Sequence, residues 1–417
     1  MNHFSYGGAR RALVGTLIGA AFVIGSLASS APPATAAGDV ITFGAAVSLT
    51  GRDAREGHLT QEGYDLWKDY VNAHGGIKVA GKAYKVDIKY YDDETNPQTS
   101  ARLVEKLIDD DHANFILGPY GSASSFTTAA VVERKQVPMV EANGAAEKIF
   151  NQGYKYTFAV LSPARRYLEG IIDMALTLKP AAKTLAITAA NDAFSLEVQQ
   201  GAIDFAGEHG ITVVYANKYP ADTTDVSGIV SAIKAANPDI ILNAGHLQDA
   251  LLVHKGLKEQ NVQAKVYGYS VGPDTPDFRS SLGKDANDVF GGAQWSTTVK
   301  YKGAPGFYQT ADEYAAAFSK RYGHTPDYHN AESSAGCLAF QYAIEKADSL
   351  DPAKVRDALQ SLDVTTFYGL LKFDSRGLNI YKPMVVNQIQ NDQLITVWPA
   401  SVADGKPVYP TPPWGQR

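Results

Sequence analysis

Short apolar runs alternate with amphipathic stretches of helical period over most of the chain, and the whole pattern occurs twice. A strand followed by a helix that returns the chain beside that strand builds a parallel sheet, so an α/β protein with doubly wound parallel sheets is expected. The first series reads as strands at 41–49, 85–91, 114–117 and 138–141, with helices at 60–73, 99–108 and 126–136. Gly75 and Gly76 mark the end of the first helix, because the left-handed residue just past a helix suits glycine. The second series places strands at 184–189, 212–216, 239–242 and 265–269, with helices at 196–208, 225–236 and 249–259. Beyond these the order loosens into a strand near 291–296, helices near 308–322, 331–347 and 352–361, and short strands ending at Trp398. That remainder is too short for a third domain and is expected to complete both halves, so the chain must cross between them more than once. Ligands of open parallel sheets collect beyond the carboxyl ends of the strands. Loops 48–58, 92–97, 118–124 and 141–146 are therefore expected to face loops 189–195, 219–224, 245–248 and 270–276 across an interdomain cleft.

Residues 1–36 stand outside this pattern. Arg10 and Arg11 precede a glycine-interrupted apolar run at 12–28, and Ala34-Thr35-Ala36 follows, the arrangement of a cleaved secretory signal peptide. The run is short for a membrane anchor, and no cysteine near the cleavage point offers a lipid attachment. The paired arginines suit either the general secretion route or the twin-arginine exporter. The chain holds 38 basic and 44 acidic residues, two of the basic ones in the leader. Such an acidic mature chain is a poor partner for nucleic acid or an anionic membrane face. Its length exceeds what one compact core serves, which also argues for two domains. The one cysteine, Cys337, leaves no internal disulfide and reads as a buried apolar residue.

Several motifs carry chemistry. Residues 118–125, GPYGSASS, end a strand and open a helix, but lack both the lysine of a phosphate loop and the GxGxxG spacing, so nucleotide binding is not indicated. What they offer is an anion seat of free N–H groups with the hydroxyls of Ser122, Ser124 and Ser125, or else a plain helix cap made by Ser124 or Ser125. Gly268-Tyr269-Ser270-Val271-Gly272 satisfies the nucleophile-elbow pattern of a secreted serine hydrolase using Ser270, with His324 or His329 as base. An elbow needs a helix at once, and Pro273 and Pro276 argue against a helix start there. No metal or other cofactor is expected. His324 and His329 lie in a proline-broken loop, His246 and His254 lack further ligands, and Asp92-Asp93-Glu94 lacks a calcium-loop spacing and reads as a strand end or helix cap. Aromatics near the loop ends, Tyr120, Phe150, Phe194, Tyr219, Tyr269 and Tyr328, could sandwich a flat or apolar ligand body.

Taken in order, "ITFGAAVSLTGRDAREGHLTQEGYDLWKDYVNAHGGI", "YYDDETNPQTSARLVEKLI", "ILGPYGSASS", "YTFAVLSPA" and "NDAFSLEVQQGAIDFAGEHGITVV" resemble the branched-chain amino acid binding protein family of periplasmic solute receptors. The resemblance implies a type I periplasmic binding protein, with two α/β lobes joined by three crossover strands and a ligand trapped between them. The lobes would span 37–160 plus 296–366 and 161–295 plus 367–417. It also implies a periplasmic monomer that takes a small-molecule carboxylate and delivers it to an inner-membrane ABC permease; a ligand-sensing module of a membrane receptor would look the same. By the resemblance, Ser122 holds the ligand carboxylate beside Tyr120, together with Asn143, Gly144 and Ala145, where the family usually has a small residue and a threonine. Phe194 matches the ring that closes from the second lobe, and His246 falls near that lobe's tyrosine. Arg55 and Glu56 lie on the first loop, where a ring is frequent. Val271 stands where the amino-acid binders carry the glutamate that pairs with the ligand ammonium. A buried ammonium without a partner costs several kcal/mol. Either Asp274, Glu56 or Asp249 substitutes, or the ligand is an aromatic or hydrophobic acid without an α-amine; the reading leans to the second.

Overall fold

The computed structural model describes residues 40–417, so the expected signal peptide lies outside the described residues. The first series forms β1 (Val40–Val47), α1 (Ala54–Ala73), β2 (Ile77–Val79), β3 (Lys82–Asp92), α2 (Pro97–Asp109), β4 (Phe115–Leu117), α3 (Ser122–Lys135), β5 (Met139–Glu141) and β6 (Thr157–Ala159). They build a six-stranded sheet of order β2-β3-β1-β4-β5-β6, parallel except for the β2–β3 hairpin. After α4 (Glu169–Thr177), the second series forms β7 (Thr184–Ala190), α5 (Ala193–Glu208), β8 (Thr212–Tyr219), α6 (Ser227–Ala236), β9 (Ile240–Ala244), α7 (Leu247–Glu259), β10 (Val266–Tyr269), α8 (Pro276–Leu282) and β11 (Phe290–Ala293).

The chain then returns to the first half with α9 (Ala311–Tyr322), α10 (Tyr328–Ala347), α11 (Pro352–Gln360) and a hairpin of β12 (Asp363–Thr366) and β13 (Gly369–Lys372). It ends in the second half with β14 (Val385–Gln390), antiparallel to β11, and β15 (Gln393–Trp398), antiparallel to β14. The second sheet therefore has the order β15-β14-β11-β10-β9-β7-β8. Among the described residues the chain passes between the sheets after β6, after β11 and after β13. The lobe division expected at 366 falls within the β12–β13 hairpin.

β4, β5, β9 and β10 are buried on both faces, as central strands of covered parallel sheets are. α10 packs along α1 and is buried from Tyr328 nearly to Ile344, with Cys337 in the core. Gly63 on α1 makes this contact close, since a Cβ there would collide with the Asn330 carbonyl.

Three local readings need correction. α1 starts at Ala54 rather than Thr60, so Arg55 and Glu56 stand on its first turn and not on a loop. That turn has no apolar period of its own because it is buried by the other lobe. α10 starts at Tyr328, where Asp327 and Asn330 form a capping box, so His329 is helical rather than part of a proline-broken loop. A helix also begins at Pro276, capped by Thr275 Oγ at 3.3 Å from the Phe278 N–H. Proline suits a first helical position, so it opens this helix instead of forbidding it.

Candidate functional site

The carboxyl ends of both sheets face one another, and a nearly filled cavity of about 10 Å³, room for about one water molecule, lies between them. From the first half, Tyr120, Gly121, Ser122 and Asn143 line it; from the second, Phe194, His246 and Val271 do; Tyr167 and the α10 residues Tyr328, His329 and Glu332 complete the wall. An open recess at the cleft mouth shares Tyr120, Gly121, Ser122 and His246 with this cavity.

The GPYGSASS turn is shaped from below. Tyr64 of α1 donates to the Gly118 carbonyl at 2.8 Å, fixing the end of β4. α3 then starts at Ser122, earlier than its apolar period indicates, with Gly121 as its cap at φ 84°, a left-handed conformation suited to glycine. No side chain caps the helix, so neither Ser124 nor Ser125 does; Ser125 Oγ donates back to the Gly121 carbonyl at 2.9 Å. Ser122 Oγ accepts from the Ala146 N–H at 3.1 Å, which leaves its own proton for the cavity. Asn143 donates to Ser333 Oγ at 3.0 Å, leaving its Oδ1 without a partner. Gly144 and Ala145 form the backbone behind this seat and do not line the cavity. A Cβ on Gly144 would collide with Ser125 Oγ.

Opposite, Asp192 caps α5 through the Phe194 and Ser195 N–H groups, each at 2.9 Å, and so sets the Phe194 ring at the cavity. His246 Nε2 lies 3.7 Å from Asp192 Oδ2. Burial alone would lower the His246 pKa, but the hydrogen bond and charge of Asp192, with Asp53 and Asp249, outweigh it and raise the imidazole to about 10. Burial likewise opposes ionisation of Asp192, yet His246 holds it down to about 2. His246 is thus a cation at neutral pH with both ring nitrogens as donors. Its Nδ1 donates to Tyr120 Oη at 3.0 Å across the cleft, and the Tyr120 proton is left for a ligand. Burial pushes the Tyr120, Tyr167 and Tyr328 phenols well up, so all three keep their protons, and Tyr328 Oη has no partner. The rings brace one another: Phe194 stands edge-on to Tyr167 with centroids 4.9 Å apart, and Tyr328 stacks on His329 at 4.1 Å.

The carboxylates considered as partners for an ammonium are engaged elsewhere. Asp249 pairs with Arg52 and accepts the His246 N–H, and Asp274 accepts from Asn387 Nδ2. Glu56 is buried and accepts the Leu247 N–H at 3.2 Å through one oxygen, its Oε2 being without a partner, while Arg55 reaches Asp277 at 2.5 Å. None of them lines the cavity. Arg52, Arg55 and Glu56 instead fasten the first lobe to the second, as Glu197 does by accepting the Glu147 and Lys148 N–H groups at 2.6 and 3.1 Å. Arg52→Ala is expected to weaken ligand binding about twofold to fivefold at low salt, with a smaller loss at high salt, because its ion pair forms only when the lobes are closed. Equal dissociation constants for both proteins at low salt would remove this latch.

Ser270 does not form an elbow. Its hydroxyl donates to the Gly245 carbonyl at 2.9 Å and accepts the Gly245 N–H at 3.0 Å, and the next helix waits until Pro276. His324 contacts Glu62, and His329 Nδ1 contacts Asp327 at 3.1 Å, so neither is poised at Ser270. Among the described residues no group of three or more potential ligands could hold a metal ion. Asp92 and Asp93 staple the first loop through Leu49, Thr50 and Ser48, while Asn96 caps α2.

The model of a periplasmic binding protein matches residues 40–393. The chain belongs to this family of solute-binding proteins. It is 27% identical over 415 residues to Leu/Ile/Val-binding protein homolog 8 of Brucella suis biovar 1, covering 95% of this chain and 98% of the relative. Its fold matches a leucine binding protein from Thermotoga maritima with a TM-score of 0.75 at 19% identity, over 85% of this chain and 97% of that one. It also matches a solute binding protein of an ABC transporter from Rhodopseudomonas palustris HaA2, in complex with p-hydroxybenzoic acid, with a TM-score of 0.74 at 20% identity, over 90% and 99% of the two chains. The type I periplasmic binding protein fold and the family expected from the sequence are both borne out. Tyr167 and Glu332 were missed as wall residues. Glu332 left a trace in the sequence, being the one Asp, Glu, Lys or Arg between Tyr328 and Ile344.

Proposed function

We propose that the protein is the periplasmic receptor of an ABC importer for a small aromatic carboxylate without an α-amine. The observation that carries this reading is the charge inside the cavity. His246 supplies a cation, Ser122, Tyr120 and Tyr328 supply free hydroxyl donors, and Val271 stands where an ammonium partner is expected. The carboxylate would sit against Ser122 and the first turn of α3, with Asn143, Gly144 and Ala145 shaping the seat, and Phe194, Tyr167 and Tyr328 would enclose the ring. Solved relatives of the same fold include receptors holding benzoate and 3,4-dihydroxybenzoic acid, and others named for leucine or isoleucine. That these relatives include binding proteins of ABC transporters favours an inner-membrane permease as partner over a sensory receptor.

The protein would be exported behind its 1–36 leader, act as a monomer and release its ligand unchanged rather than turn it over. Among the described residues no helix is long and apolar enough to cross a membrane. A thermal-shift screen of leucine, isoleucine, valine, phenylalanine, benzoate and 4-hydroxybenzoate tests the ligand class. Stabilisation grows with ligand concentration over Kd, to about 2.7 kcal/mol at a hundredfold excess. Aromatic acids are expected to raise Tm and the amino acids to leave it unchanged; the reverse pattern would return the protein to the amino-acid binders.

A further inference from the structure

We infer that Glu332 makes the protein selective for aromatic carboxylates bearing a second polar group, a hydroxyl or similar hydrogen-bonding substituent, on the part of the ring farthest from the carboxylate. This rests on the aromatic-acid reading above and narrows its substrate class. The residues that the cavity shares with the cleft mouth, Tyr120, Gly121, Ser122 and His246, mark its outer end. Glu332 belongs to the wall that the mouth does not reach. One of its oxygens accepts from Tyr368 Oη at 3.1 Å, and Lys382, on the segment crossing from β13 to β14, places Nζ 4.3 Å from the centre of the Tyr368 ring. A ligand whose carboxylate sits at Ser122 therefore turns its far end toward this inner group.

Glu332 lines the cavity, is 1% exposed, and accepts from Tyr368 through one of its two oxygens. A buried polar atom left unpaired beside a bound ligand penalises that ligand, and a site built to bond a hydroxyl rejects the analogue lacking one. Burial pushes the Glu332 carboxyl well up and lowers the Lys382 amine to about 7. A carboxyl that burial disfavours as an anion suits a hydroxyl, which both donates and accepts, better than it suits an ammonium.

The test is isothermal titration of benzoate, 3-hydroxybenzoate, 4-hydroxybenzoate and leucine into the wild type, Glu332→Gln and Glu332→Leu. In the wild type at least one hydroxybenzoate is expected to bind about 10- to 100-fold more tightly than benzoate. Glu332→Gln, which can still donate and accept, should keep a preference, and Glu332→Leu should bring the ratio to about 1 while benzoate still binds. Benzoate and both hydroxybenzoates binding the wild type equally would overturn the inference and leave the aromatic-acid reading standing, as would an undiminished preference in Glu332→Leu. If leucine binds and no aromatic acid does, the broader reading fails and takes this one with it. The wild-type ratio decides even if the leucine variant does not fold.

Discussion

Ser122→Ala is expected to raise the Kd for an aromatic carboxylate about 10- to 100-fold, the equivalent of losing a hydrogen bond to a charged group at about 1.5–3 kcal/mol. The reason lies in the direction of one proton. Ser122 Oγ accepts the Ala146 N–H, so its hydroxyl hydrogen is free to point into the cavity, at the N-terminal turn of a helix that no side chain caps. The turn adds its own N–H groups and dipole, both favourable to an anion. An uncharged amide analogue of the same ligand should lose less, which separates loss of the anion seat from a general disturbance of the loop. The variant's melting temperature checks that the Ala146 N–H, now without its acceptor, has not loosened β5 and its loop. Unchanged affinity would reduce GPYGSASS to an ordinary strand-to-helix turn.

Glu141→Gln is expected to raise stability at pH 8 by about 2–4 kcal/mol and to leave it nearly unchanged at pH 4. Glu141 ends β5 beneath the seat, wholly buried, and burial raises its carboxyl from 4.5 to about 8. The Ser125 hydrogen is already given to the Gly121 carbonyl, and neither Glu141 oxygen has a partner, so a bond between the two side chains needs a protonated Glu141 as donor. A carboxyl with a raised folded-state pKa contributes stability that is complete below its unfolded value near 4.5 and is lost as pH rises through about 8. The wild-type Tm should therefore fall across that window. Asp274, raised to about 7 by burial, adds a fall of the same sign, so the comparison between wild type and variant isolates Glu141. Parallel curves of Tm against pH would show that Glu141 is ionised in the folded protein.

Much of the fold was legible because its signals are local. Strand runs such as 184–189 and 265–269, and the Gly75-Gly76 helix stop, matched the observed elements closely because backbone period and left-handed glycine depend on neighbours a few residues away. The misreadings share a different cause. The first turn of α1 carries Arg55 and Glu56, a polar pair with no apolar period, and it is buried only because the second lobe supplies Asp277 and the Leu247 N–H. The start of α10 was hidden behind Pro326, although the Asp327–Asn330 box was present in the chain. At Pro276 the residue type was read correctly and its position was not, since proline breaks a helix in its middle and opens one at its first turn.

The candidate site divides along the same line. Ser122, Tyr120, Asn143, Phe194, His246 and Val271 could be named from loops at strand ends, because parallel βα units direct those loops to one side of each sheet. Gly144 and Ala145 proved to be backing rather than wall, and Arg55 and Glu56 proved to be fasteners between lobes. The inner wall, Tyr167, Tyr328 and Glu332, comes from a crossover segment and a helix that joins the first sheet after the second has been completed. Order along the chain and period within it establish two doubled sheets and the loops at their edges. Which side chains share a cavity, which acids keep their protons and which charges are already spent depend on contacts between residues 222 positions apart, as Arg55 and Asp277 are, and more. Desolvation and pairing act through space, and they exist only once both lobes are folded and closed on each other.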